Sequence, residues 1–179
     1  AFRAQYERWF DYRTAETGQV PAELAASWGA PASAGRDYAL LHSAGTDDVW
    51  LRVVDVDVPQ PHAAMTTYGW SVIEFLVEDP DAAYEHLLSS PFRHIGGPAN
   101  LGGGTSSIRA TQFVGPASVA AYLTADTAPP AEARLPQARS FIDRPFIVVL
   151  ATADPAGLDA FSRAILTTDT HPKIVAAEL

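Results

Sequence analysis

The sequence repeats itself, and the repeat limits the folds open to this chain more than any single element does. HSAGTDDVWLR at 42–52 superposes without a gap on QFVGPASVAAY at 112–122, an offset of 70 that brings Gly45 onto Gly115, Val49 onto Val119 and Arg52 onto Tyr122. QYERWF at 5–10 matches AYEHLL at 83–88 at an offset of 78, so 8 residues separate the two alignments between helix and hairpin. A third copy starts at 145: LATADPAGLDAFSRAIL matches FLVEDPDAAYEHLL, with Asp154-Pro155 on Asp79-Pro80 and Phe161 on Tyr84.

The middle copy is the complete one. An apolar run over 70–77 stops at Glu78-Asp79-Pro80, where Asp79 is placed to cap a helix and Pro80 to open it. Ala82, Ala83, Tyr84, Leu87 and Leu88 then recur at helical spacing as far as Pro91. Glycine and proline punctuation cuts the remainder into strands at 92–97, 106–114 and 117–124, which completes a βαβββ unit.

The flanking copies are partial. In the first, Phe2, Tyr6, Trp9, Phe10 and Tyr12 predict a helix from 2 to about 16, ending near Gly18. Extended segments follow at 20–28, 37–43 and 49–56; the Ala-rich first of these reads equally well as helix. The last copy offers a strand at 145–152 and a helix at 156–166. The expected organisation is a first module at 1–57 without its leading strand, a Pro-containing linker at 58–68, the complete module at 69–125, an Ala/Pro-rich linker at 126–143 and the start of a third module at 144–179. A unit that opens on its helix implies further residues before Ala1.

Composition removes several classes of function. With 47% hydrophobic and 18% charged residues the chain is expected to fold, and a formal charge of -9 opposes any grip on nucleic acid or on an anionic membrane surface. No cysteine is present, which excludes disulfides, thiolate zinc sites and a cysteine nucleophile and fits a cytoplasmic protein. No apolar run approaches the roughly 20 residues that span a bilayer. Gly102-Gly103-Gly104-Thr105 precedes a strand and lacks the lysine and helix of a phosphate loop, and no nucleophile elbow occurs.

A repeated βαβββ unit with an Asp-Pro helix start, a YExLL-like helix and a glycine turn before the closing strand resembles the vicinal oxygen chelate superfamily. That superfamily includes glyoxalase I, bleomycin-resistance proteins and extradiol dioxygenases, and the resemblance covers nearly the whole chain. It implies an α+β fold in which paired βαβββ modules form an open, curved mixed sheet with helices on its outer face. It also implies a divalent ion in the cleft, held by His, Gln or Glu from the first and last strands of each module.

Strand parity tests those ligand positions on this sequence. Leu51 and Val53 should face the helix, leaving Trp50, Arg52 and Val54 for the cleft; Ile73, Phe75 and Val77 should do the same, leaving Trp70, Val72, Glu74 and Leu76. The family's carboxylate position falls on Arg52 and Tyr122, and its leading-strand position on Val72 and Ile147. A guanidinium and two aliphatic side chains bind no metal, and a tyrosine does so only as a phenolate.

The expectation is therefore a protein without the family metal or any other cofactor, binding a small, partly aromatic molecule. The candidate ligand-binding residues are Trp50, Arg52, Trp70, Glu74, Gln112 and Tyr122, with Glu74 and His42 as the catalytic candidates. Arg52 either holds a carboxylate or phenolate or pairs with a nearby acid, and Glu74 is either exposed at a mouth or a general base with a raised pKa. His42 and Gln112, equivalent in the repeat, read first as hydrogen-bonded strand-end residues. The alternative is a metal-dependent lyase, isomerase or extradiol-type dioxygenase, with ligands from Glu74 and His42 or from residues beyond the sequence. Unpaired strand edges at the partial modules would suit a homodimer.

Overall fold

The computed structural model of the protein describes residues 2–47, 51–57, 63–102 and 105–158. In chain order its elements are helix α1 (Phe2–Trp9), strand β1 (Arg13–Gln19), helix α2 (Ala22–Ser27), strands β2 (Asp37–His42), β3 (Leu51–Val54) and β4 (Gly69–Val77), helix α3 (Pro80–Leu87), and strands β5 (Arg93–Asn100), β6 (Ile108–Val114), β7 (Ala120–Asp126) and β8 (Ile142–Ala151). They form a three-stranded sheet of order β1-β2-β3 and a five-stranded sheet of order β5-β6-β7-β4-β8. No described helix is long and apolar enough to cross a membrane.

Residues 69–126 trace a β-α-β-β-β path. The Asp79 carboxylate accepts hydrogen bonds from the Asp81 and Ala82 amides at 2.8 and 3.2 Å, satisfying donors that the first helical turn leaves unpaired. After α3 the chain returns through β5 and β6 and lays β7 parallel to β4, Val72 opposite Ala120 and Leu76 opposite Thr124. Two parallel neighbours need such a crossover, which α3 supplies. At the turn into β7, a Cβ on Gly115 would stand 2.6 Å from the Phe92 ring, so the glycine is what admits that ring to the core.

The first copy departs from the sequence expectation at its start. The helix ends at Trp9, and Asp11, at φ 53°, turns the chain into β1, which pairs antiparallel with β2 from Arg13 opposite His42 to Gln19 opposite Asp37. Phe10 and Tyr12 are both buried, so the aromatic spacing that reads as one long helix belongs to a helix end and a strand approach that face the same core. Residues 22–27 are helical, the alternative that the Ala-rich sequence left open. Three strands still follow α1, but the first of them lies a segment earlier than expected. In the last copy β8 begins at Ile142, ahead of the expected 145, and Asp154 Oδ1 accepts from the Gly157 amide at 2.9 Å where a helical turn starts. The rest of the expected helix, including Phe161, lies outside the described residues, as do Val49, Trp50, Pro59 and Pro61.

One core joins all of this. Tyr6, Phe10 and Tyr12 surround Phe75 of β4, with ring centroids 6.1, 5.3 and 6.2 Å from it, and Phe10 stacks on Phe92 at 5.2 Å. Ala39 and Leu41 enter from the three-stranded sheet, Ala83 and Leu87 from α3, Phe113 and Leu123 from β6 and β7. The helices α1 and α3 touch where His86 Nε2 lies 3.1 Å from the Trp9 carbonyl. A polar seam ties the first copy to the start of β8: the Tyr12 hydroxyl donates to the Asp143 carbonyl at 2.8 Å, and Ser43 Oγ donates to Asp143 Oδ1 at 2.6 Å.

Candidate functional site

The two faces of the five-stranded sheet have different chemistry. Ile73, Phe75, Val77, Ala121, Leu123 and Phe113 face the helices. Alternation then puts Val72, Glu74 and Leu76 of β4, Ala120, Tyr122 and Thr124 of β7, and Ala110 and Gln112 of β6 on the opposite face. The register aligns one row straight across it: Gly96, Gln112, Tyr122, Glu74 and Ile147 stand side by side on β5, β6, β7, β4 and β8. Three residues singled out from the sequence, Glu74, Gln112 and Tyr122, thus become immediate neighbours.

Glu74 is the chemically distinctive member. It is 8% exposed, between Val72 and Leu76 along the strand, so the reading that places it at an open mouth is corrected. Thr124 Oγ1 donates to Glu74 Oε1 at 2.6 Å. Burial raises the carboxyl pKa and the Thr124 bond opposes this only in part. Tyr122 is half-buried, and its phenol is pushed up first by burial and then by the charge of Glu74. Gln112 lies over Gly96, where a Cβ would come within 2.5 Å of its Oε1.

A raised carboxyl pKa fixes the sign of a stability effect. The neutral acid suits the folded state, so its contribution is full below the unfolded pKa of about 4.3 and is lost as pH rises through the higher folded value. Glu74→Gln cannot ionise. Thermal unfolding of the two proteins should show the balance shifting toward the variant as pH rises above the unfolded pKa, and a difference that does not change with pH would contradict a buried, raised carboxyl.

The other candidates are dispersed. Arg52 lies on the outward face of β3, since Leu51 and Val53 pack on the core as expected, and its guanidinium carbon sits 5.3 Å from the ring centroids of both Trp28 and Tyr38. It is held by aromatic faces and, among the described residues, makes no ion pair with Glu74 or another acid. His42 Nδ1 is 3.0 Å from both the Ser43 carbonyl and Asp47 Oδ1, which makes it a turn-closing residue. Trp70 is 70% exposed at the start of β4, away from the buried part of the row. Trp50 is outside the described residues.

Among the described residues no three His, Asp or Glu side chains gather as a metal-binding group. Glu74 is the single carboxylate of its row, its neighbours offer a phenol, a carboxamide and an aliphatic chain, and a raised pKa works against a ligand that must be ionised. These residues do not fit the family ion. A groove of about 760 Å³ lies elsewhere, between the start of α1 and the end of β3, lined by Phe2, Arg3, Tyr38, Val54 and Asp55; no residue of the Glu74 row borders it. Sequence reasoning missed both that groove and Thr124, whose hydroxyl in an apolar strand was the available signal.

No family model and no curated protein matches the sequence. The backbone is similar to the crystal structure of a glyoxalase I mutant from Zea mays, with a TM-score of 0.58 and 15% identity over 90% of this chain and 49% of that one. The chain spans about half the length of the protein it matches. Its fold is therefore glyoxalase-like, as the βαβββ repeat implied.

Proposed function

We propose that this chain binds a small, partly aromatic molecule against the sheet face that carries Glu74, Gln112 and Tyr122, and does so without the divalent ion of its metal-dependent fold relatives. The observation that carries this reading is the row itself: one buried carboxyl, one half-buried phenol and one carboxamide aligned across three adjacent strands, above a floor of Val72, Ala110 and Ala120. Apolar surface with a few convergent polar groups is the usual make-up of a small-molecule site. The aliphatic side chains at Val72 and Ile147, where the superfamily resemblance would place ligands, support binding without metal.

The test uses two probes of one shape, 1-naphthamide and 1-naphthoate, titrated calorimetrically into the full chain. At least one should bind with a Kd below about 1 mM, and Tyr122→Ala should weaken that binding by about tenfold or more. Treatment with a chelator should leave the affinity unchanged. If neither probe binds, if the row substitutions have no effect, or if binding vanishes with the chelator and returns with a divalent ion, the reading fails. The last of those outcomes would favour the metal-dependent alternative.

A further inference from the structure

We infer that the Glu74 row selects an uncharged ligand, one whose carbonyl oxygen accepts hydrogen bonds donated by Glu74 and Tyr122, and discriminates against carboxylates of the same shape. This rests on the binding reading above and adds to it the charge class of the ligand.

Arg109 of β6 points to the helix side, where its Nε and Nη2 hold the Asp81 carboxylate at 2.6 and 2.7 Å. Arg144 of β8 donates to Asp143 Oδ2 at 3.0 Å, and Arg139 approaches the same oxygen at 3.8 Å. Arg52 is on the other sheet between Trp28 and Tyr38. Arg93 pairs with Val114 on the far edge, three strand spacings or about 14 Å from β4. Among the described residues, the same face of β7 adds Tyr122 and Asp126, neither a cation, and Asp126 is occupied by the Arg134 and Leu135 amides at 2.6 and 3.4 Å. A ligand carboxylate entering this row would lose its water beside a second carboxyl, with none of Arg52, Arg93, Arg109 and Arg144 placed to balance it, which is costly in an apolar setting.

The donors are arranged for the opposite case. Thr124 occupies Oε1 of Glu74, so Oε2 is the oxygen left to carry a proton toward a ligand. Burial between Val72 and Leu76 favours that protonated form, and Tyr122, directly opposite on β7, offers a second O–H. Two neutral O–H donors side by side on adjacent strands match a carbonyl oxygen, which accepts two hydrogen bonds and brings no charge.

The two naphthalene probes separate this inference from the reading it rests on. On the acid side of the Glu74 titration, at a pH where the naphthoate is still ionised, 1-naphthamide should bind the full chain at least about tenfold more tightly than 1-naphthoate. Its affinity should fall as pH rises through the Glu74 titration, and Glu74→Gln should abolish that pH dependence. Binding of the carboxylate as tightly as the amide, or more tightly, would overturn the inference while leaving the cleft reading intact, and loss of carboxylate binding in Arg52→Met would then identify the cation responsible. An amide affinity that is flat with pH in the unaltered chain would also overturn it. Failure of both probes to bind would remove the binding reading itself.

Discussion

Replacing Asp143 by Ala should lower the free energy of unfolding by about 3–5 kcal/mol, the range seen when one partner of a buried charged network is removed. Asp143 is fully buried. Its carboxylate receives Ser43 Oγ at 2.6 Å, the Arg139 amide at 3.0 Å and Arg144 Nη1 at 3.0 Å, so truncation strips three donors of their acceptor. The position is also structural in a wider sense, because Ser43 belongs to the first copy of the repeat and Asp143 to the strand that opens the third. The packing there is tight: a Cβ on Gly45 would stand 2.9 Å from the Arg139 backbone. For a chain of this size the change corresponds to a fall in Tm of about 6–20 °C.

The same residue predicts a pH dependence of the opposite sign to that of Glu74. Burial pushes the Asp143 carboxyl up, but the Ser43 hydroxyl, the Arg139 and Arg144 bonds and the Arg144 charge together outweigh it and hold the pKa below the usual value. A depressed carboxyl contributes stability that is present above the unfolded pKa of about 3.9 and is lost as pH falls through the folded one. The gap between the unaltered chain and Asp143→Ala should therefore be full at neutral pH and close in acid below about pH 4. A gap that persists at low pH would assign the effect to lost packing alone.

Phe75→Ala should be comparably severe, at about 3–5 kcal/mol, because a fully buried aromatic is lost from a site that cannot collapse around the gap. Phe75 is 0% exposed and meets Tyr6, Phe10 and Tyr12 on its helix-facing side. Those three rings belong to α1 and to the turn after it, so the cavity opens between the first copy and the central module. Near-UV circular dichroism should lose its aromatic signal ahead of the far-UV helix signal in urea. A loss of stability under about 1 kcal/mol would mean that α1 does not depend on this contact.

The Glu74 site has a converse character. A residue whose removal is expected to help stability at neutral pH, set among the apolar Val72, Ile73, Phe75 and Leu76 of its own strand, resembles the usual trade between stability and function. Neither Asp143 nor Phe75 shows it, since each is satisfied by its surroundings.

Particular residues show how far the sequence could be read. The Asp79-Pro80 cap and the glycine turns gave away the central βαβββ unit, because local geometry demands those residue types whatever surrounds them. Alternation along β4 and β7 correctly separated Phe75 and Leu123 from Glu74 and Tyr122. The end of α1 was not legible: Phe10 and Tyr12 keep a helix-like spacing across a left-handed turn at Asp11. The partnership of Glu74 with Thr124 was not legible either, since these residues are 50 apart in the chain and meet only through the parallel register of β4 and β7.

By itself, then, the sequence determined the central βαβββ unit and the faces taken by the residues of β3, β4 and β7. Those follow from local dihedral preferences and the two-residue period of a strand. Only the tertiary structure decided that Glu74 is buried, that Gln112 and Tyr122 stand beside it, and that Arg52 is drawn away between Trp28 and Tyr38. Burial and cross-strand register are set by which surfaces meet over long chain separations, and no local preference encodes them.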